Sequence, residues 1–125
     1  MLKKTIKYTN YDGEKREKDF FFNLKKSELV DLNFSTSKGF IDYIKKITDA
    51  NDSVAIWKAF RDIVLMAYGE KSEDGERFVK SKELSKAFEE TEAFSELIME
   101  LIDSEDAASN FINGIMPKDL NTESN

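Results

Sequence analysis

From Phe40 to Ile115 apolar residues keep returning at helical spacing, and this pattern constrains the chain more than any other feature it has. Phe40, Ile41, Ile44 and Ile47 follow the i, i+3, i+4, i+7 rule, and Asn51-Asp52-Ser53 then separates that helix from a second. Between Val54 and Tyr68 the residues Ile56, Trp57, Phe60, Ile63, Val64, Ala67 and Tyr68 cover more than half of a helix circumference. Lys58, Arg61 and Asp62 form its polar stripe, and Gly69 is placed to end it. Ser81 caps a helix carrying Leu84, Ala87 and Phe88. Phe94, Leu97, Ile98, Leu101 and Ile102 then make an amphipathic face opposite Glu92, Glu96, Glu100 and Asp103. Ser104, with Glu105 and Asp106 in the first turn, opens a last helix with Phe111, Ile112 and Ile115, which Gly114 and Pro117 are expected to stop.

The first 24 residues read differently. Lys4 to Thr9 alternate, Asp12-Gly13 is a favoured tight turn, and Asp19-Phe20-Phe21-Phe22 is rich in strand formers. Leu2, Lys4, Ile6 and Tyr8 share one face, as do Phe20, Phe22 and Leu24 on the return, while Phe21 points the other way. An isolated hairpin is marginal in water, so this one needs a layer beneath it. Ser27 is placed to cap a short helix over 28–32, followed by a loop at 33–37. The expected fold is mainly α in an α+β arrangement: a β-hairpin at 1–24, then a compact body of about four to six helices at 27–116. Together they make one domain over 1–117, with 118–125 a polar, disordered tail.

Composition removes whole classes of chemistry. The 125 residues include neither Cys nor His, so disulfides, thiolate and imidazole metal sites and every Ser-His or Cys-His relay are excluded. No enzyme and no cofactor is expected, and the charged fraction of 35% fits helix surfaces. The net charge of −6 is polarised along the chain. Residues 1–27 hold eight Lys or Arg against four acids, and from Glu83 to Asp106 nine acids meet one base, Lys86. That acidic half repels a phosphate backbone, so nucleic acid is not an expected partner. No apolar run approaches the ~20 residues that span a bilayer, and MLKKTIKY lacks a secretory core, which predicts a cytoplasmic protein with no membrane partner.

Several patterns admit a functional and a plainer account. The acidic row suits an inhibitor that mimics nucleic acid to block a basic partner, or simply the solvated side of two amphipathic helices, which is the commoner case. Ser72-Glu73-Asp74-Gly75-Glu76 lacks the order and length of a calcium loop and reads as a turn. Tyr68, Lys71 and Arg77 have no Gly-rich loop to make a phosphate cradle. Phe20 and Phe22 pack on the helices or offer a sticky strand to a partner, and Phe94, Leu97, Ile98 and Leu101 complete the core or meet another protein's helix.

Three stretches read together point further: Tyr11-Asp12-Gly13 with Phe22-Asn23-Leu24 and Glu28-Leu29; the run from Tyr68 to Phe78, including Gly69, Ser72, Asp74, Gly75 and Arg77; and Phe111-Ile112-Asn113-Gly114-Ile115 before Pro117. In these the chain resembles the tail assembly chaperones of long-tailed (siphovirus-type) bacteriophages, over nearly its whole length. The resemblance implies a non-enzymatic helper that binds the long tape measure protein and helps recruit tail tube subunits, working in the cytoplasm of an infected or lysogenic host and absent from the mature virion. It also implies partnership with a frameshift-extended form of the same chain, and self-association into a homo-oligomer is compatible with it. The apolar residues named above, Phe20, Phe22, Phe94, Leu97, Ile98 and Leu101, are the expected client contacts.

Overall fold

The structure, a computed structural model, describes residues 1–117. Strands β1 (Leu2–Thr9) and β2 (Lys15–Phe22) form the N-terminal hairpin, with Leu2 opposite Phe22 and Thr9 opposite Lys15. Its turn runs through Gly13 at φ 78°, a conformation glycine adopts without a Cβ penalty. Helices α1 (Lys26–Asp31), α2 (Ser37–Asp49) and α3 (Ser53–Ala67) follow. The chain then returns to the sheet as β3 (Tyr68–Lys71) and β4 (Phe78–Val79) before α4 (Lys82–Glu89), α5 (Glu92–Asp103) and α6 (Glu105–Ile115). The four strands are antiparallel in the order β1-β2-β3-β4, and the helices are laid against one face.

Side-chain caps start most of the helices. Thr36 Oγ1 accepts from Gly39, Asp52 Oδ1 from Val54 and Ala55, Ser81 Oγ from Leu84, Thr91 Oγ1 from Phe94 and Ser104 Oγ from Ala107. The α1 cap differs from expectation. The helix starts at Lys26, ahead of Ser27, because Glu28 Oε1 reaches back to accept the Lys25 N–H at 2.9 Å.

The sheet is one-sided. Ile6, Phe22 and Leu24 are buried while Lys3, Thr5, Lys7 and Thr9 are exposed, so the alternation is realised along β1, whereas β2 is exposed from Lys15 to Asp19. Phe88 of α4 is the centre of the aromatic cluster that joins sheet to helices. It stacks on Tyr68 at 4.3 Å, and its ring centroid lies 5.2 to 5.8 Å from those of Phe20, Phe22 and Phe94. Phe22 also packs edge-on against Phe111 at 5.2 Å, which ties α6 to the same core.

Two glycines stand where the sequence placed helix stops, and neither acts as one. Helix α3 ends at Ala67 because Tyr68 turns extended (φ −66°, ψ 140°) and enters β3, and Gly69 lies inside that strand. A Cβ there would come within 2.7 Å of the Phe78 ring and 2.8 Å of the Val79 carbonyl, so close approach of β4 is what requires glycine. Gly114 lies within α6, where a Cβ would meet the Leu2 side chain at 2.9 Å; it lets α6 approach β1. Trp57, read as part of the α3 core face, is 41% exposed and lies beside the Arg61 guanidinium. The expected disordered tail at 118–125 lies outside the described residues.

Candidate partner-binding surface

The Tyr68 to Phe78 run builds a β-hairpin. Gly69 pairs with Phe21 and Lys71 with Phe78, so the run widens the first sheet. Its turn is knitted by its own side chains: Ser72 Oγ donates to Asp74 Oδ1 at 2.6 Å and accepts the Arg77 N–H, Asp74 Oδ1 accepts the Glu76 N–H, and Gly75 takes φ 76°. The Ser72 hydroxyl, with the Glu76 amide, holds the Asp74 carboxyl below the usual carboxylate range. Burial and the neighbouring Glu70 push the Tyr68 hydroxyl up, so it stays neutral and serves as an aromatic surface for Phe88 and Phe22. The most distinctive stretch of the sequence is thus a folding unit.

The residues expected to meet a client are placed deeper than that role requires. Phe22, Leu97, Ile98 and Leu101 are at most 3% exposed and Phe94 is 7% exposed. Phe20 is half-buried between Tyr8 and Phe88. Five of the six belong to the common core, and Phe20 packs on it while keeping partial exposure. The acidic row is partly engaged as well: Glu100 pairs with Lys4 at 2.9 Å and Glu89 with Arg61 at 2.8 Å.

Two clefts flank α2, each combining buried apolar residues with partly exposed ones, Ile41 and Ala108 on one side and Leu32 and Tyr43 on the other. On one flank a cleft of about 460 Å³ runs between α2, α3 and α6, floored by Ile41, Ile44, Phe60, Ala108 and Ile112 with Lys45, Asp49 and Glu105 at its rim. On the other a cleft of about 370 Å³ opens between the α1–α2 loop, α2 and α3, lined by Leu32, Phe34, Tyr43, Ala59, Ile63 and Met66. Phe34 anchors the loop by packing edge-on against Phe40 at 5.3 Å and at a tilt against Tyr43 at 5.5 Å. Leu32 and Tyr43 stay 38% and 49% exposed beside that cleft, where large apolar side chains are available to a partner. Both clefts are lined mainly by apolar side chains. The periodicity of α2 predicts a single core face and does not reveal the clefts, because burial on the helix's two sides is incomplete.

A model of the phage tail assembly chaperone family matches residues 1–125, the whole chain. The chain belongs to that family. No curated protein and no solved structure matches the chaperone. Its fold is the one expected, a hairpin followed by helices, with a second hairpin added between α3 and α4. No helix among the described residues is long and apolar enough to cross a membrane.

Proposed function

We propose that this tail assembly chaperone holds apolar helical stretches of the tape measure protein in the clefts beside α2, and keeps them soluble while tail tube subunits are recruited. The observation that carries this reading is the pair of apolar clefts flanking one helix, in a family whose members assist tail assembly. A client helix presents anchors at i, i+3, i+4 and i+7, and a groove between amphipathic helices receives such anchors by apolar burial. The role needs no catalysis, in keeping with a chain that has neither His nor Cys. It is exercised in the cytoplasm of the bacterial host and ends before the virion is complete, with the frameshift-extended form, where one is made, acting beside the short one.

The test is co-expression with a tape measure fragment and pull-down. Ala108→Glu places a charge in the first cleft and Leu32→Glu in the second, both at positions that retain some exposure. Each variant should fold, by circular dichroism, and capture far less client, whereas Met99→Glu on the outer side of α5 should capture as wild type. Undiminished capture by both cleft variants would remove the proposal. Charged variants at Leu97 or Ile98 cannot serve here, because both side chains are in the core and unfolding would imitate loss of binding.

A further inference from the structure

The sheet has an eight-residue strand, β1, at one edge, and no described residue pairs with that edge. Which backbone groups are free follows from the hairpin. The Asn10 N–H bonds to Glu14 O, and antiparallel pairing alternates bonded and non-bonded pairs, so Tyr8, Ile6, Lys4 and Leu2 direct their N–H and C=O groups at β2. Lys3, Thr5, Lys7 and Thr9 therefore direct theirs outward. The same alternation holds one strand over, where the Asn23 N–H goes to Ala67 on the β3 side and the Leu24 N–H goes to Ile115 on the β1 side.

The four residues with free backbone groups also have exposed side chains, and two of them are lysines. Lys3 has no ion-pair partner among the described residues, and Lys7 reaches Glu17 only at 3.5 Å with its side chain 82% exposed. At the same edge Glu96 and Arg16 line a hollow with Lys7 and Tyr8, and on the inner side Glu100 is already paired with Lys4. On its outer side the edge strand itself carries only cations, and of the two β2 carboxylates behind it Asp19 accepts from the Thr5 hydroxyl at 2.6 Å and Glu17 holds Lys7 at 3.5 Å.

We propose that this edge takes an extended acidic segment of another protein as a fifth strand, with carboxylates at alternate positions opposite Lys3 and Lys7 and neutral residues between them. Backbone pairing with Lys3, Thr5, Lys7 and Thr9 supplies the attachment, and the lysines supply the selectivity. A second copy of this chain is a poor occupant. It brings the same lysines, and each antiparallel alignment of β1 on β1 sets lysines opposite or diagonal to lysines. This site is separate from the α2 clefts and does not depend on what they bind.

The test uses the full chain and a short capped peptide alternating Glu with Thr, followed by fluorescence anisotropy and by amide exchange. In the free protein the amides of Thr5, Lys7 and Thr9 should exchange faster than those of Lys4, Ile6 and Tyr8, and saturating peptide should slow the first set. The peptide with Lys in place of Glu should not bind. Lys3→Glu combined with Lys7→Glu, both at exposed positions outside the core, should weaken the acidic peptide by roughly tenfold, equivalent to about 1.4 kcal/mol, and admit the Lys peptide. The proposal is overturned if the two peptides bind alike, if the charge swap leaves acidic binding unchanged, if no amide of the edge slows, or if the unliganded chain proves to be a dimer with these amides already protected.

Discussion

Lys80 and Glu28 show how a charge is made tolerable where water is scarce. The Lys80 ammonium lies mostly buried between α1 and the segment after β4, donating to Asn23 O at 2.6 Å and to Glu28 Oε2 at 2.7 Å. Burial pushes the lysine pKa down, and Glu28 offsets only part of that, so desolvation outweighs the attraction. Such a pair adds little net stability, yet breaking it leaves a charge stranded. Glu28→Gln keeps an oxygen for the Lys25 N–H and removes only the anion; it should cost about 2 kcal/mol in urea unfolding. Adding Lys80→Met should recover most of that loss, because the stranded ammonium is then gone. Equal and additive losses for the two substitutions would mean that the residues act independently.

At the scale of elements, the second hairpin shows both what the sequence disclosed and what it hid. Asp12-Gly13 and Asp74-Gly75 are the same turn signal, but only the first has long alternating strands on either side. The second has four residues before it and two after it, and Tyr68 continues the apolar stripe of α3, so helical periodicity masked the strand. The amphipathic helices from α2 to α6 were legible because their caps and apolar spacing agree. The clefts were not, since whether Ile41 or Tyr43 faces a neighbour or a gap depends on how α2 sits against α3 and α6.

Two predictions belong to this hairpin. Gly69→Ala sets a Cβ against the Phe78 ring and the Val79 carbonyl, and since a paired backbone carbonyl cannot retreat cheaply the variant should lose about 3 kcal/mol, read as a lower urea midpoint. A loss under about 0.5 kcal/mol would show that β4 is loosely held. The second concerns pH. Hydrogen bonding holds the carboxyls of Asp74 and Glu14 below their unfolded values, the first mainly through Ser72 and the second mainly through Asn10, with Arg16 assisting. Groups with depressed folded pKa values stabilise above the unfolded carboxylate range and lose that contribution as pH falls through the folded pKa. The melting temperature should therefore fall between about pH 5 and pH 3, and Asp74→Asn should flatten part of that slope. An unchanged slope in that variant would count against the turn as its source.

Across the whole molecule, the division of labour separates scaffold from surface. The aromatic cluster around Phe88 locks the sheet to α4 and α5, and the Tyr68 to Phe78 run serves that scaffold through Tyr68. Helix α2 is packed on α3 and bordered by two clefts, and these are where the proposed holding of a client helix takes place. Hydrogen–deuterium exchange of the chaperone, alone and saturated with a tape measure fragment, tests that account most directly. The account predicts slowed exchange across α2 and in the facing segments of α3 and α6, with α5 unchanged; slowed exchange confined to α5 or the first hairpin, with α2 unaffected, would contradict it.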